Sequence, residues 1–186
     1  MEKTFLHLLP VSLLFFLFLI PAAHAEEPTP AWQGVVLRVY DGDTLDILKI
    51  SDGSRHRIRL ADIDAPELDQ PGGPEAAAHL RAISLWKVVS VEDVGRDRYK
   101  RLLAVVSREG APHTFQRGPQ AGRTLVQPAW SLNGNMVRMG HAWTYPGKLS
   151  KGMRWRPAEV RAIQERRGIW REKSPTPPWT WREKKR

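Results

Sequence analysis

The 186-residue chain contains no cysteine, which excludes disulfides and thiolate metal sites and leaves any domain it forms to be held by its core alone. Acidic residues are the minority, 20 Asp and Glu against 29 Lys and Arg, for a formal charge of +9. That excess suits a polyanionic partner, nucleic acid or an anionic membrane surface, although a basic protein need have neither. Histidine is sparse: the six at 7, 24, 56, 79, 113 and 141 show no short ligand spacing, so a histidine metal site is not expected. After residue 25 there is no long hydrophobic run. Before it, Lys3, the apolar stretch Leu8 to Ile20 and the small residues Ala23 and Ala25 form the pattern of a secretory signal peptide cleaved after Ala25. The stretch is short for a membrane span. A secreted or periplasmic protein is therefore expected, with 1–25 as signal peptide and 26–33 as a polar leader.

The chain beyond the leader has the length of one domain and no internal repeat. "GVVLRVY" from Gly34, "TLDILKI" from Thr44 and "RHRIRLADI" from Arg55 read as three strands of a meander, with "SDGS" as a tight turn between the last two. "GPEAAAHLRAIS" reads as a helix, with Pro74 in its first turn and Glu75 at the positive end of its dipole. "KVVSVEDV" and "RLLAVVS" supply two more strands around the turn "GRDRYK". The order β-β-β-α-β-β fits a small closed barrel. Residues 108–131, rich in Gly, Pro and polar types, read as a long loop or a distorted hairpin extension. "LNGNMVRMG" predicts a short helix capped by Asn133 and stopped by Gly140. "RPAEVRAIQERRG" predicts a longer one with Val160 and Ile163 on its apolar side. The Pro-rich basic tail, 171–186, reads as disordered or loosely laid on the surface. Alternatively, Trp179 and Trp181 beside the basic end would give a weak envelope or membrane-surface contact. A monomer without a stable protein partner is expected.

The acids are not evenly spread. Asp43, Asp46, Asp52, Asp62, Asp64 and Glu67 crowd the stretch from Gly42 to Glu67. "DGDT" by itself is a plain β-turn pattern, and Arg59 with Glu67 by themselves make an ordinary surface ion pair. In a meander, however, Asp43 and Asp64 can converge on one rim, where oxygen-only ligands suit a hard cation such as Ca²⁺ or Mg²⁺. A cation, an arginine fork that grips phosphate and a carboxylate that activates water are together the parts of phosphodiester hydrolysis.

"DGDT", "RIRLADIDAPE", "GPEA", "DRYKRLLA", "LNGNMVRMGHAWTY" and "AEVRAIQERRGIW" occur in the same order as the motifs of the staphylococcal nuclease (thermonuclease) family, which the chain resembles from Gly34 to Trp170. The resemblance implies an α+β, mainly β, fold: a five-stranded OB-fold barrel with about three helices, spanning 34–170. It implies a Ca²⁺-dependent nuclease acting on DNA and RNA and leaving 3′-phosphate ends. Asp43, Asp64 and the backbone carbonyl of Ala65 match the metal ligands. Glu67 matches the residue that positions or activates water, and Arg59 and Arg101 match the phosphate-clamping arginines. Arg98, Tyr99 and Tyr145 fall at substrate-binding positions. The chain departs from the family at Ala65, usually Thr, at Lys100, usually Gly, and in the longer 108–131 segment. The alternative reading is a nucleic-acid-binding OB module without catalysis.

Overall fold

Alternating apolar residues in a β-branched context drive the first three strands, and the sheet they form governs everything placed on it. A computed structural model describes residues 31–109, 112–114, 116–119, 122–126, 129–145 and 154–185. The expected signal peptide and most of the leader lie outside the described residues. Strand β1 (Trp32–Val39) pairs antiparallel with β2 (Thr44–Lys49), which pairs antiparallel with β3 (Arg55–Leu60). Val36 and Val39 both face the core although they are three residues apart, because the β1–β2 register shifts between Val36 and Arg38. Such a bulge adds one residue and tightens the local coil, as a small barrel requires. At the β2–β3 turn Asp52 accepts the Ser54 backbone N–H at 2.9 Å while Gly53 takes positive φ.

A two-residue strand β4 (Ile63–Asp64) precedes helix α1 (Gly73–Ser84), and then β5 (Val88–Arg96) and β6 (Leu102–Arg108) complete the sheet. The strand order is β3-β2-β1-β5-β6, and β6 also pairs in parallel with β3, Arg59 opposite Leu103. The sheet is thus a closed five-stranded barrel, the expected α+β architecture. Its interior is filled by Val36, Leu45, Ile47, Ile58, Leu60, Val91, Ala104 and Val106. Helix α1 turns Ala76, Ala77 and Leu80 inward, the alanines allowing a close approach.

Residues 108–131 contain a hairpin, β7 (Pro112–Thr114) with β8 (Thr124–Val126), and then β9 (Trp130–Ser131) alongside the end of β6. Of the two readings of this segment, the chain adopts the hairpin extension. Helix α2 (Leu132–Arg138) comes next, then β10 (Trp143–Thr144) paired with β4, helix α3 (Arg156–Gln164), a 3₁₀ turn (Gly168–Arg171) and helix α4 (Pro178–Glu183).

Three expectations are corrected. The cap of α2 is Ser131, whose hydroxyl accepts the Gly134 N–H, and not Asn133. Asn133 is instead fully buried. Its amide accepts the Val106 N–H at 3.0 Å and donates to the carbonyls of Ala61 at 2.9 Å and Ala104 at 3.1 Å. Helix α3 does not bury Val160 and Ile163, which are exposed; it buries Ala162 and the Glu159 carboxylate. Glu159 accepts from the Thr144 N–H at 2.9 Å, the Thr144 hydroxyl at 2.7 Å and Arg156 at 2.5 Å, so a polar tie outranks the apolar periodicity. Third, the tail is not loose: it forms α4 and packs on the body. It reaches there through Gly140 and Gly168, both at positive φ, whose close approach lets Ile169 N–H donate to the Gly140 carbonyl at 2.9 Å.

Replacing Asn133 by Leu is expected to cost about 2 kcal/mol or more, because the Val106 N–H and the Ala61 carbonyl lose the Asn133 amide and the Ala104 carbonyl keeps only the Ala61 N–H; urea unfolding measures it. The stacked rings of His79 and His141, centroids 4.4 Å apart, set an acid limit. Burial, helped by His79 and Arg171 and opposed by Glu75, pushes His141 down to about 4 from 6.5. Its contribution is present above pH 6.5 and lost as pH falls toward 4, since the unfolded chain takes up the proton first. Melting temperatures across that window should fall more steeply for the wild type than for His141→Gln.

Candidate active site on the barrel rim

The "DGDT" turn is built by Asp41, whose carboxylate accepts the backbone N–H of Asp43 at 2.9 Å and of Thr44 at 2.7 Å. That turns the Asp43 side chain inward, to 3% exposure. One Asp43 oxygen accepts the Ala65 N–H at 3.0 Å, and the other accepts from the Thr44 hydroxyl at 2.9 Å and Arg59 Nη1 at 2.7 Å. Asp64, fully buried, accepts Arg59 Nη2 at 2.7 Å. The arginine fork thus spans two carboxylates that lie 21 positions apart in sequence.

Two sheet pairings produce this arrangement. Thr44 lies opposite Arg59 in the β2–β3 register, which brings the Asp43 turn to the Arg59 strand. Asp64 lies opposite Trp143 in the β4–β10 pair, and β10 is held by the buried Glu159. Burial raises the Asp43 carboxyl to about 7, Arg59 pulling it down and Asp41 and Asp64 pushing it up. Burial also works against the Arg59 charge, but Asp43 and Asp64 outweigh it and hold the guanidinium protonated beyond its usual range. Against Arg59 alone the two buried carboxylates leave negative charge in excess, and in such a site a further cation is stabilising.

Among the described residues no three Asp, Glu, His or Cys side chains converge as a metal cage. The donors at hand are two buried carboxylates beside backbone and solvent oxygens. That set fits a hard cation that keeps several waters, and it lacks the nitrogen and sulfur that transition metals favour.

Glu67 shares this rim and is joined to Asp64 through one guanidinium. Its carboxylate is 39% exposed and accepts Arg182 Nη1 from α4 at 2.7 Å. The same guanidinium donates to both oxygens of Asp64, at 2.6 and 3.2 Å. Arg101 is not joined to the acidic centre: its Nε donates to Asp97 Oδ2 at 2.7 Å, and its guanidinium lies 5.5 Å from the Tyr99 ring centre. Arg98 is also close to that ring, 4.8 Å from its centre. Lys100, in place of the usual Gly, adopts positive φ all the same, because Asp97 holds the loop through the N–H groups of Tyr99 and Arg101. Tyr145 lies apart from this loop, its ring 6.0 Å from Trp179 and its N–H bonded to the Asp62 carbonyl.

Beyond Arg101 a groove of about 520 Å³ continues along β3, lined by Arg55, Arg57, Arg96, Lys100 and Asp46. Alternation in "RHRIR" places Arg55, Arg57 and Arg59 on one face. Asp46, only 2% exposed, takes Arg55 at 2.5 Å, Arg57 at 3.1 Å and the Tyr40 hydroxyl at 2.7 Å. Asp46 therefore serves the arginines and is not left open to a metal ion. The period-two spacing of these arginines is visible in the sequence, but the groove they line is not. Arg182 escapes sequence reasoning for a different reason: "PPWTWR" has the composition of a tail, although two tryptophans in so short a segment signal burial.

A family model described as staphylococcal nuclease homologue matches residues 57–172. The chain is 36% identical over 158 residues to a micrococcal nuclease of Shigella flexneri, covering 82% of this chain and 83% of the relative. It is 31% identical over 175 residues to an uncharacterized endonuclease of Escherichia coli, covering 94% and 97%. Over 163 residues it is 36% identical to protein ParB of Escherichia coli, covering 83% and 82%. Together with the closed barrel and the arginine fork at its rim, these matches establish that the chain belongs to the staphylococcal nuclease family.

Proposed function

We propose that this chain is a metal-dependent nuclease that hydrolyses phosphodiester bonds of DNA and RNA, leaving 3′-phosphate ends. The observation that carries the reading is the Asp43–Arg59–Asp64 fork, with Glu67 on the same rim. The names of the nuclease and endonuclease relatives support it. In this reading Asp43, Asp64 and the Ala65 carbonyl would hold Ca²⁺, which would supply positive charge against the negative charge growing on the phosphoryl oxygens. Glu67 orients the attacking water and accepts its proton. Arg59 grips the phosphate in ground and transition states. Arg101, freed from Asp97, adds its donors where the pentacoordinate phosphorus accumulates charge.

The substrate strand then runs past Arg101 into the groove of Arg55 and Arg57, two arginines on a single Asp46, which leaves net positive charge for phosphates. Tyr99, 63% exposed beside Arg98 and Arg101, offers a face for base stacking, as does the part-exposed Tyr145. The export pattern in residues 1–25 supports a secreted or periplasmic site of action.

Three outcomes test this. Chelation by EGTA should abolish hydrolysis of labelled DNA and RNA, and undiminished cutting removes the metal. Arg101→Ala should lower kcat by on the order of 10² while DNA affinity changes little; a loss confined to affinity contradicts its assigned step. Arg57→Ala should flatten the dependence of log affinity on log salt by about one unit, and an unchanged slope places the strand elsewhere.

A further inference from the structure

The C-terminal segment is delivered to the acidic centre by contacts that do not involve the centre itself. Ile169 is buried and tied to Gly140, and Gln70, 3% exposed, donates to the Thr176 carbonyl at 2.6 Å. Pro178 is buried at the start of α4. Trp181 Nε1 donates to Asp69 at 3.2 Å, Lys185 pairs with the same carboxylate, and Trp179 lies against Tyr145. Together these contacts dock the helix so that Arg182 enters the rim. Helix α4 lies beyond residue 172, where the family match ends.

Arg182 contributes a single positive charge there, and it occupies the groups on which the proposed chemistry depends. Asp64 has no solvent exposure; one of its oxygens receives Arg182 Nη2 at 2.6 Å, and the other is shared between Arg59 at 2.7 Å and Arg182 Nη1 at 3.2 Å. Glu67 receives the same Nη1 at 2.7 Å. A calcium ion must approach its carboxylate oxygens to about 2.3–2.6 Å. With both oxygens of Asp64 bonded to guanidinium groups, the ion meets occupied lone pairs and a like charge a few ångströms away, in a site of low dielectric.

We propose that α4 is a tethered, cation-mimicking strap: Arg182 stands in for the divalent ion and holds Asp64 and Glu67 out of use until metal displaces it. The inference rests on reading Asp43, Asp64 and Glu67 as the metal- and water-binding carboxylates. Because Arg182 and the ion compete for Asp64, their binding is coupled, and the coupling is reciprocal. Removing Arg182 tightens metal binding, and adding metal loosens α4 by the same factor. The strap is a two-position element, and the tryptophans beside Arg182 report which position it holds.

The experiment compares full-length wild type with Arg182→Ala and Arg182→Gln. Calcium titration calorimetry should show binding tighter by on the order of tenfold or more in both variants. In the wild type, calcium should change the Trp179 and Trp181 fluorescence and speed amide exchange over 178–185 along the same binding curve. DNA hydrolysis should reach half its maximum at a correspondingly lower calcium concentration in the variants. Equal or weaker calcium binding in the variants overturns the strap, as does α4 exchange that calcium leaves unchanged. A fall in kcat with calcium affinity unaltered makes Arg182 a positioning residue for Glu67 and also overturns it. If neither wild type nor variants bind calcium, the metal assignment fails and takes the strap with it, an outcome distinct from the others. Should both single variants unfold, fluorescence and exchange on the wild type alone still decide.

Discussion

Arg59 bridges Asp43 and Asp64, and most of the molecule can be understood as the means of keeping those three groups together. Two buried carboxylates facing each other repel, and each is costly to desolvate, so neither position is tenable without a cation between them. One guanidinium with two donor edges meets that need, and its 19% side-chain exposure leaves it within reach of a ligand. Burial raises the Asp43 carboxyl in spite of the Arg59 charge beside it, with Asp41 and Asp64 adding to the rise. The centre is left with a demand for further positive charge, which a metal ion, a second guanidinium such as Arg182 or a proton can meet.

The barrel supplies that geometry through registers. Arg59 is aimed by its place in β3, held on one side by β2 and on the other by the parallel pairing to β6. Asp64 is aimed less directly: β4 is only two residues long, and its partner β10 is anchored by the buried Glu159 of α3. A carboxylate in α3 thus fixes a carboxylate on the rim through two short strands. Asn133 plays a similar part behind them, joining β6 to the Ala61 carbonyl just before β4. Such buried polar ties define one arrangement among many that apolar packing alone would permit.

The surface around the fork is graded in charge. On one side Arg55, Arg57, Arg96 and Lys100 surround a single buried Asp46, leaving positive potential along β3. On the other, Asp69, Glu67 and Asp64 receive Arg182 from α4 and Lys185 from just beyond it. The net charge of +9 is therefore unevenly used: part lines a groove open to solvent, and part is folded back onto the protein's own acids. A polyanion approaching the rim meets the first and competes with the second.

The succession of strands along the chain, the helix after the third strand and the acidic motifs are legible in the sequence, because these depend on local periodicity and on turn residues whose preferences act over a few positions. Motif order also marks Asp43, Arg59, Asp64 and Glu67 as a set. It does not separate Asp46 from the other acids, since only the β2–β3 register shows that Asp46 faces Arg55 and Arg57. Nor does it reveal that Asn133 is buried and Val160 exposed, because helix periodicity carries no information about which polar group finds a partner across the core. The position of Arg182 is furthest from view. A contact between residues 118 apart is set by where the chain turns at Gly140 and Gly168 and by what docks α4, and these are properties of the packed whole, not of any stretch of it.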